Sequence, residues 1–187
     1  MSQCRILVDS NAYFRLAQSI HPLLNAVFGK KRYCLYVIKE LQIEYNRNPR
    51  LKNAFSWVND PEYTKNRSRV LEITREEKAE IKRAYDFILD YVNSVHPGVS
   101  KVDVLCLAHA EQLGIPVVTD DEEMRVVAGE YGISTYKTIE LLKLMLDCRY
   151  IDIEKIREIA AYWTYLNDNP KDFIADYKKL FGESPHK

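Results

Sequence analysis

Acidic side chains recur in this sequence at the ends of short apolar runs, where they could bind a metal ion. Asp9 ends the run at residues 5–8, and Asp120 and Asp121 follow the run at residues 115–119. A carboxylate at the end of a buried strand loses hydration unless a partner compensates. Clustered carboxylates repel one another, which raises their pKa values or favours a bound cation. These acids therefore predict a metal site, and their hard oxygen atoms suit Mg²⁺ or Mn²⁺.

Two further acids lie where helices are expected to begin. Glu40 follows the apolar run at residues 33–37, and Asp103 lies in the first turn of a predicted helix. Both have ordinary explanations. Asp103 comes three residues after Ser100, which is the spacing of a capping box. Glu40 and Glu44 are four residues apart and fit a solvated helix face. Asp9, at the end of a buried apolar run, is the acid that is hardest to explain by structure alone.

The apolar runs predict the elements that position these acids. Runs of strand length alternate with segments of helical spacing, which favours a parallel sheet with crossover helices. The predicted strands cover residues 5–9, 33–37, 115–119 and 132–136. In such a sheet, ligands bind outside the carboxyl ends of the strands. The acids are therefore expected to meet in one crevice of an α/β fold.

Other segments carry more specific expectations. Residues 12–28 have helical spacing, and the basic stretch at residues 65–69 is predicted to be exposed. Residues 151–181 read as all helix and carry many aromatic side chains. This extension is predicted either to pack on the rest of the chain or to form an interface. The sequence thus predicts a domain at residues 1–148 and a helical extension at residues 149–187.

Composition limits the class of protein without naming a substrate. The 187 residues, 47% of them hydrophobic, suit one globular domain, and 27 basic residues balance 27 acidic ones. That balance gives none of the basic excess typical of nucleic-acid binding, yet it does not exclude RNA. Four widely spaced cysteines give no zinc or redox motif and are predicted to be reduced and buried. No apolar stretch reaches the length of a membrane span, so a soluble, cytoplasmic protein is expected.

Four short motifs resemble those of PIN domains, in the same order along the chain. Ile6–Asn11 (ILVDSN) is similar to the first strand of the family, which an acidic residue ends. Residues 39–41 (KEL) resemble its helix-borne Glu-Leu, and residues 103–108 (DVLCLA) its Asp-headed apolar helix. Residues 117–121 (VVTDD) are similar to its strand ending. The resemblance spans about residues 5–136.

The resemblance implies a three-layer α/β/α fold with a central parallel sheet of about four or five strands. It further implies a divalent-metal-dependent endoribonuclease, often the toxin of a toxin–antitoxin pair. By this resemblance Asp9, Asp103 and Asp121 bind Mg²⁺ or Mn²⁺ directly or through water. Glu40 would bind through water or orient the attacking water. The expected substrate is single-stranded RNA, and the expected partners are an antitoxin or a second copy of the chain.

Several roles stay open from the sequence. Asp120 is either a fifth ligand or a solvated neighbour, and the second role is favoured. Asn11 and Thr119 are expected to hydrogen-bond and orient the acids. The alternative function is a PIN scaffold that has lost catalysis and serves as a binding or regulatory module. A haloacid-dehalogenase-type phosphatase fits less well, because Asn11 stands where that family needs an acid.

Overall fold

A five-stranded sheet forms the centre of the protein, whose computed structural model describes residues 3–185. The strands are β1 (Cys4–Val8), β2 (Val27–Phe28), β3 (Tyr33–Tyr36), β4 (Val117–Val118) and β5 (Thr135–Tyr136). Their order is β2-β3-β1-β4-β5. β1 pairs in parallel with β3 and β4, β4 pairs in parallel with β5, and β2 is antiparallel to β3. The predicted α/β fold with a mostly parallel sheet is confirmed.

Helices cover both faces of this sheet. They are α1 (Ser10–Leu16), α2 (Glu40–Arg47), α3 (Pro49–Ala54), α4 (Pro61–Arg67), α5 (Arg75–Val95), α6 (Lys101–Leu113), α7 (Glu122–Glu130), α8 (Thr138–Asp147), α9 (Ile153–Tyr165) and α10 (Phe173–Phe181), with a short 3-10 helix at Ser56–Asn59. Residues of α1, α2, α8, α9 and α10 share the apolar core on one face. Residues of α5, α6 and α7 share the core on the other face. The fold therefore has the three layers expected.

The central strand β1 is buried from both sides. Ile6 and Val8 belong to the core on one face of the sheet, and Leu7 belongs to the core on the other. Successive side chains of a strand point to opposite faces, so a strand covered on both faces must be apolar throughout. This explains the uninterrupted apolar run in the sequence and leaves Asp9 as the first polar residue beyond it.

The helix expected over residues 12–28 is wrong beyond its first turns. α1 ends at Leu16, and Val27–Phe28 forms the antiparallel strand β2. Pro22 lies between them, and a proline can neither donate a helical hydrogen bond nor fit inside a helix without distorting it. Asn25 has a φ of 61°, which turns the chain into the strand.

The basic stretch at residues 65–69 was expected to be exposed, and Arg67 corrects that expectation. Arg67 is buried, and its guanidinium donates hydrogen bonds to the hydroxyl of Tyr13 (2.8 Å) and the carbonyl oxygen of Val58 (2.6 Å). It also lies 5.5 Å from the ring centre of Tyr13. A buried arginine is tolerated when its donors are paired. Arg67 therefore anchors α4 to α1 and is not free to bind phosphate.

The C-terminal extension forms two helices where the sequence predicted one helical stretch. A turn separates α9 from α10, and Asn167 and Asp172 have φ angles of 54° and 61° there. Trp163, Phe173 and Tyr177 are buried and belong to the same apolar core as α1 and β1. The extension is thus part of the core on that face of the sheet.

The prediction that all four cysteines are reduced and buried is only partly matched. All four cysteines are free, but Cys4 and Cys148 are half-buried, whereas Cys34 and Cys106 are buried. Within residues 3–185, no helix is both long and apolar enough to cross a membrane.

We expect Trp163→Ala to lower the free energy of unfolding by about 3–5 kcal/mol, because it removes a large, fully buried side chain and leaves a cavity. Urea denaturation would measure the change. Tyr165→Ala is the matched control, since Tyr165 lies on the same helix and is 85% exposed. Equal effects of the two variants would contradict the packing of the extension described above.

Candidate active site

Asp9 is the first residue after the central strand β1 and is only 3% exposed. It caps the N-terminus of α1, where the backbone N–H of Ala12 donates to Asp9 Oδ1 at 2.6 Å. The backbone N–H of Asp9 donates to the carbonyl oxygen of Val118 in β4 at 3.0 Å. The carboxylate is therefore fixed where β1 ends between β3 and β4. At this point the connections that follow neighbouring parallel strands lead to opposite faces of the sheet, and such folds bind ligands in the crevice between them.

Burial raises the pKa of Asp9 to about 7. Hydrogen bonds from the Thr119 side chain and the Ala12 N–H oppose this shift, and the negative charges of Asp103 and Asp120 add to it. A carboxylate with this pKa carries a proton in part of the molecules at neutral pH. A nearby positive charge would favour deprotonation at neutral pH, and the nearby acids do not supply one.

Asp103 approaches Asp9 from helix α6. Its predicted capping box with Ser100 is confirmed: the Ser100 N–H donates to Asp103 Oδ2, and the Asp103 N–H donates to Ser100 Oγ, both at 3.1 Å. Burial raises the pKa of Asp103, the bonds with Ser100 lower it, and the charges of Glu44 and Asp121 raise it again. Asp103 can therefore cap α6 and also take part in the site.

Asp9 and Asp103 line one narrow crevice, together with Cys106. Burial and the two carboxylate charges raise the pKa of the Cys106 thiol well above its usual value. A thiol in this state stays protonated and is a poor metal ligand. The crevice thus offers carboxylate oxygens as its ligands.

Helix α2 presents Glu44 to this site in place of Glu40. Ser10 Oγ donates to Glu44 Oε2 at 2.7 Å, and the charge of Glu44 acts on Asp103. Glu40 lines a separate cavity beside the crevice and lies 3.9 Å from the ammonium of Lys39. The two acids lie on the same face of α2, and Glu44, one turn after the start of the helix, is the one that reaches Ser10. No local sequence signal distinguished Glu44 from Glu40, because Ser10 lies 34 residues from Glu44.

Asp121 reaches the site from the N-terminus of α7. Its Oδ1 accepts a hydrogen bond from the Met124 N–H at 2.7 Å, and its own N–H donates to Thr119 Oγ1 at 3.1 Å. Thr119 therefore contacts the carboxylate of Asp9 and the backbone of Asp121, and its orienting role stays a prediction. Asn11 is exposed, and its side chain makes no hydrogen bond to these acids in the part of the chain described.

Asp120 is held by other groups. It accepts hydrogen bonds from the backbone N–H (2.9 Å) and the hydroxyl (2.6 Å) of Thr138, and it forms an ion pair with Arg15. Arg15 also forms an ion pair with Asp168 of the extension at 3.0 Å. Because its side chain is 11% exposed, Asp120 is a paired structural acid and not the solvated neighbour expected from the sequence. Nothing in the local sequence pointed to Arg15 as its partner.

The donor set fits a hard divalent cation held partly through water. Among residues 3–185, no group of three or more His, Cys, Asp or Glu side chains is arranged to hold a metal ion by itself. Mg²⁺ usually keeps several waters and uses one or two carboxylates. Asp9 and Asp103 supply two such carboxylates, and their raised pKa values show the electrostatic cost that a cation would relieve.

We expect Asp9→Asn to stabilise the protein at pH 8 in EDTA by up to about 4 kcal/mol. The pKa of Asp9 is about 7 in the fold against 3.8 for the unfolded chain, so the folded state holds a proton that the unfolded state releases. The stability of the unsubstituted chain therefore falls as pH rises from about 4 to about 7, and the asparagine removes that loss. Asparagine also caps a helix as well as aspartate does.

Urea denaturation at pH 5 and pH 8 would measure this effect, with the exposed Asp90→Asn as control. The gain at pH 8 should shrink at pH 5 for Asp9→Asn and be absent from the control. A gain that is the same at both values would contradict the raised pKa.

Comparison with known proteins agrees with the resemblance seen in the sequence. A sequence model of the PIN domain matches residues 6–130, which is more than half of the chain. Comparison with curated protein sequences found no match. The crystal structure of FitAcB from Neisseria gonorrhoeae is similar with a TM-score of 0.46 and 16% identity, and the alignment covers 71% of this chain and 97% of that one. On the family match, with its four acids in order along an α/β fold, this chain belongs to the PIN domain family.

Proposed function

We propose that this protein is a divalent-metal-dependent endoribonuclease that hydrolyses phosphodiester bonds. The observation that carries the proposal is the pair of desolvated carboxylates, Asp9 and Asp103, in one crevice at the end of the central strand. PIN domains are generally nucleases that use divalent metal ions. A site of this kind needs oxygen ligands, negative charge and a nearby open surface, and these residues supply the first two.

The acids in and around the crevice have separable roles. We assign Asp9, Asp103 and Asp121 to binding Mg²⁺ or Mn²⁺ directly or through water, and Glu44 to orienting a water of that site. The role predicted for Glu40 passes to Glu44 because Glu44 is hydrogen-bonded to Ser10 beside Asp9. Oδ2 of Asp103, Oδ1 of Asp121 and Oε2 of Glu44 accept hydrogen bonds from the protein. The second oxygen of each carboxylate can therefore bind a cation or its water.

When bound, the ion would activate water and neutralise charge on the phosphate undergoing in-line displacement. The protein prepares for this by holding its acids in place with helix N-termini and hydroxyl groups. Asp9 must lose its proton before it can bind a cation, so cation affinity and proton release are linked. Because the pKa of Asp9 is about 7, metal binding is expected to strengthen as pH rises through neutrality.

A catalytically inactive scaffold is the second candidate. The observation in its favour is that no three ligating side chains within residues 3–185 converge on one point. Such a scaffold would bind RNA or a protein without cutting it. The antitoxin partner and the second copy expected from the family resemblance stay predictions under either function.

We expect cleavage of single-stranded RNA in Mg²⁺ or Mn²⁺ and none in EDTA. Asp9→Asn and Asp103→Asn should each lower the rate about 100-fold or more, since each removes a charged ligand of the ion. Asp147→Asn, an exposed acid on α8, is the control and should leave the rate unchanged. Equal rates for all three variants would place the activity elsewhere, and metal binding without cleavage would favour the scaffold.

We expect Glu44→Gln to lower cleavage roughly 10–100-fold, in the range found when residues that orient a metal site are replaced. Glutamine can still accept the Ser10 hydrogen bond, so the local fold is kept while the charge is lost. Initial rates across a Mn²⁺ titration would measure the effect. An unchanged rate at every Mn²⁺ concentration would remove Glu44 from the site.

A further inference from the structure

A second cavity adjoins the catalytic crevice, with Ile38 in the wall of both. Its volume is about 260 Å³. Pockets for drug-sized ligands usually hold about 300–1,000 Å³, so this one suits a smaller, flat group such as a single nucleobase. Its apolar walls come from the strand-to-helix connection before α2 and from the segment before α5. The members of these walls are Val37, Ile38, Val70, Leu71 and Ile73.

Glu40 gives this cavity an unpaired hydrogen-bond acceptor. Its Oε2 is shielded from solvent and has no hydrogen-bond partner in the described part of the chain. The nearest cation, Lys39, lies 3.9 Å from the other oxygen and is 71% exposed, so it neutralises Glu40 weakly. A buried carboxylate oxygen without a donor is costly, and rotation of the carboxylate toward the cavity to meet an incoming N–H group would relieve that cost.

Two further polar groups line the same cavity. His109 Nδ1 lies 2.8 Å from the carbonyl oxygen of Leu105, and because a carbonyl can only accept, Nδ1 carries the hydrogen. The other ring nitrogen of neutral His109 is then an acceptor. Lys78, from the first turn of α5, brings an ammonium donor to the cavity. The cavity therefore combines an anionic acceptor, a neutral acceptor and a cationic donor between apolar walls.

A third cavity continues this surface beyond the second, and Val70 and Leu71 line both. Its volume is about 930 Å³, and its lining includes Arg5 and Arg69 together with one acid, Glu72. Guanidinium groups at an open, polar cavity suit phosphate oxygens. A nucleic-acid strand leaving the catalytic crevice would thus meet a base-sized cavity first and a phosphate-binding surface next.

We propose that the cavity around Glu40 binds the base of a nucleotide next to the scissile bond and prefers guanine. Guanine alone among the four RNA bases presents two adjacent N–H donors, on N1 and N2, which can pair with the two oxygens of one carboxylate. Its O6 and N7 are acceptors that suit Lys78. Single-stranded RNA exposes this edge for such contacts. The inference rests on the proposed nuclease function, because it takes RNA to be the substrate of the adjacent crevice.

Binding in EDTA tests the cavity without requiring cleavage. The probes are fluorescein-labelled oligouridines of equal length with one central guanosine, inosine or adenosine, measured by fluorescence anisotropy with the full chain. We expect the guanosine probe to bind about tenfold more tightly than the adenosine probe. Inosine lacks the N2 amino group and should lie between them. Equal binding of all three probes, or no binding of any, would overturn the proposal.

Glu40→Gln should reduce the guanosine-to-adenosine ratio to about twofold or less, because the amide offers one acceptor and one donor. Glu76→Gln is the matched control: Glu76 is exposed at the start of α5, carries the same charge and lines none of the three cavities. The ratio should be unchanged in that variant. A ratio that survives Glu40→Gln would also overturn the proposal.

The outcomes separate this inference from the nuclease function. Metal-dependent cleavage without a base preference would support the nuclease function and contradict base binding in the cavity around Glu40. A base preference without cleavage would support base binding in this cavity and favour a binding module over a nuclease. If Glu40→Gln abolished cleavage of all sequences alike and left the binding ratio intact, Glu40 would belong to the metal site and the proposal would fail.

Discussion

The desolvation of Asp9 is the constraint on which the rest of the site depends. Asp9 directly follows strand β1, which is apolar and covered on both faces of the sheet. Its carboxylate is therefore almost inaccessible to water. The two hydrogen bonds that favour its charged form do not offset this burial, and its pKa stays near 7. A fold selected for stability alone would place a neutral side chain here. The proposed function accounts for this position, because a bound divalent cation would make the charge favourable.

Hydrogen bonds at helix N-termini hold Asp9 and two of the neighbouring acids in place. Asp9, Asp103 and Asp121 each accept a hydrogen bond at the first turn of a different helix, from Ala12, Ser100 and Met124 respectively. Helix N-termini carry partial positive charge, which makes it easier to gather acids in one place. Each cap also fixes the carboxylate relative to a rigid element. The elements of the fold thus position the acids and partly offset their mutual repulsion, so that stability and site geometry come from the same contacts.

Features of the fold that depend on short-range sequence patterns could be predicted from the sequence. The buried central strand, the alternation of strands and helices, and the capping box at Ser100 could all be predicted from local spacing. The sequence was insufficient where the outcome depended on distant partners. Glu44 could be told from Glu40 only once α2 was seen to begin at Glu40 and to bring the later residue against Ser10. Likewise, Arg67 lies in a polar, basic stretch, and its burial depends on Val58 and on Tyr13, which is 54 residues away in sequence.

Arg15 extends this dependence to the C-terminal helices. It forms ion pairs with Asp120 beside the crevice of Asp9 and Asp103 and with Asp168 in the turn between α9 and α10, and its guanidinium lies 5.9 Å from the ring centre of Trp163. The family match ends at residue 130, before any of the extension begins. Arg15 therefore links the extension to Asp120, the residue before Asp121, which lies within the part of the chain that the family model matches. Since Asp120 is neutralised by Arg15, it adds less negative charge to the crevice than an unpaired acid would. The extension, by holding Arg15 from its far side, contributes to the electrostatics of the site as well as to the core.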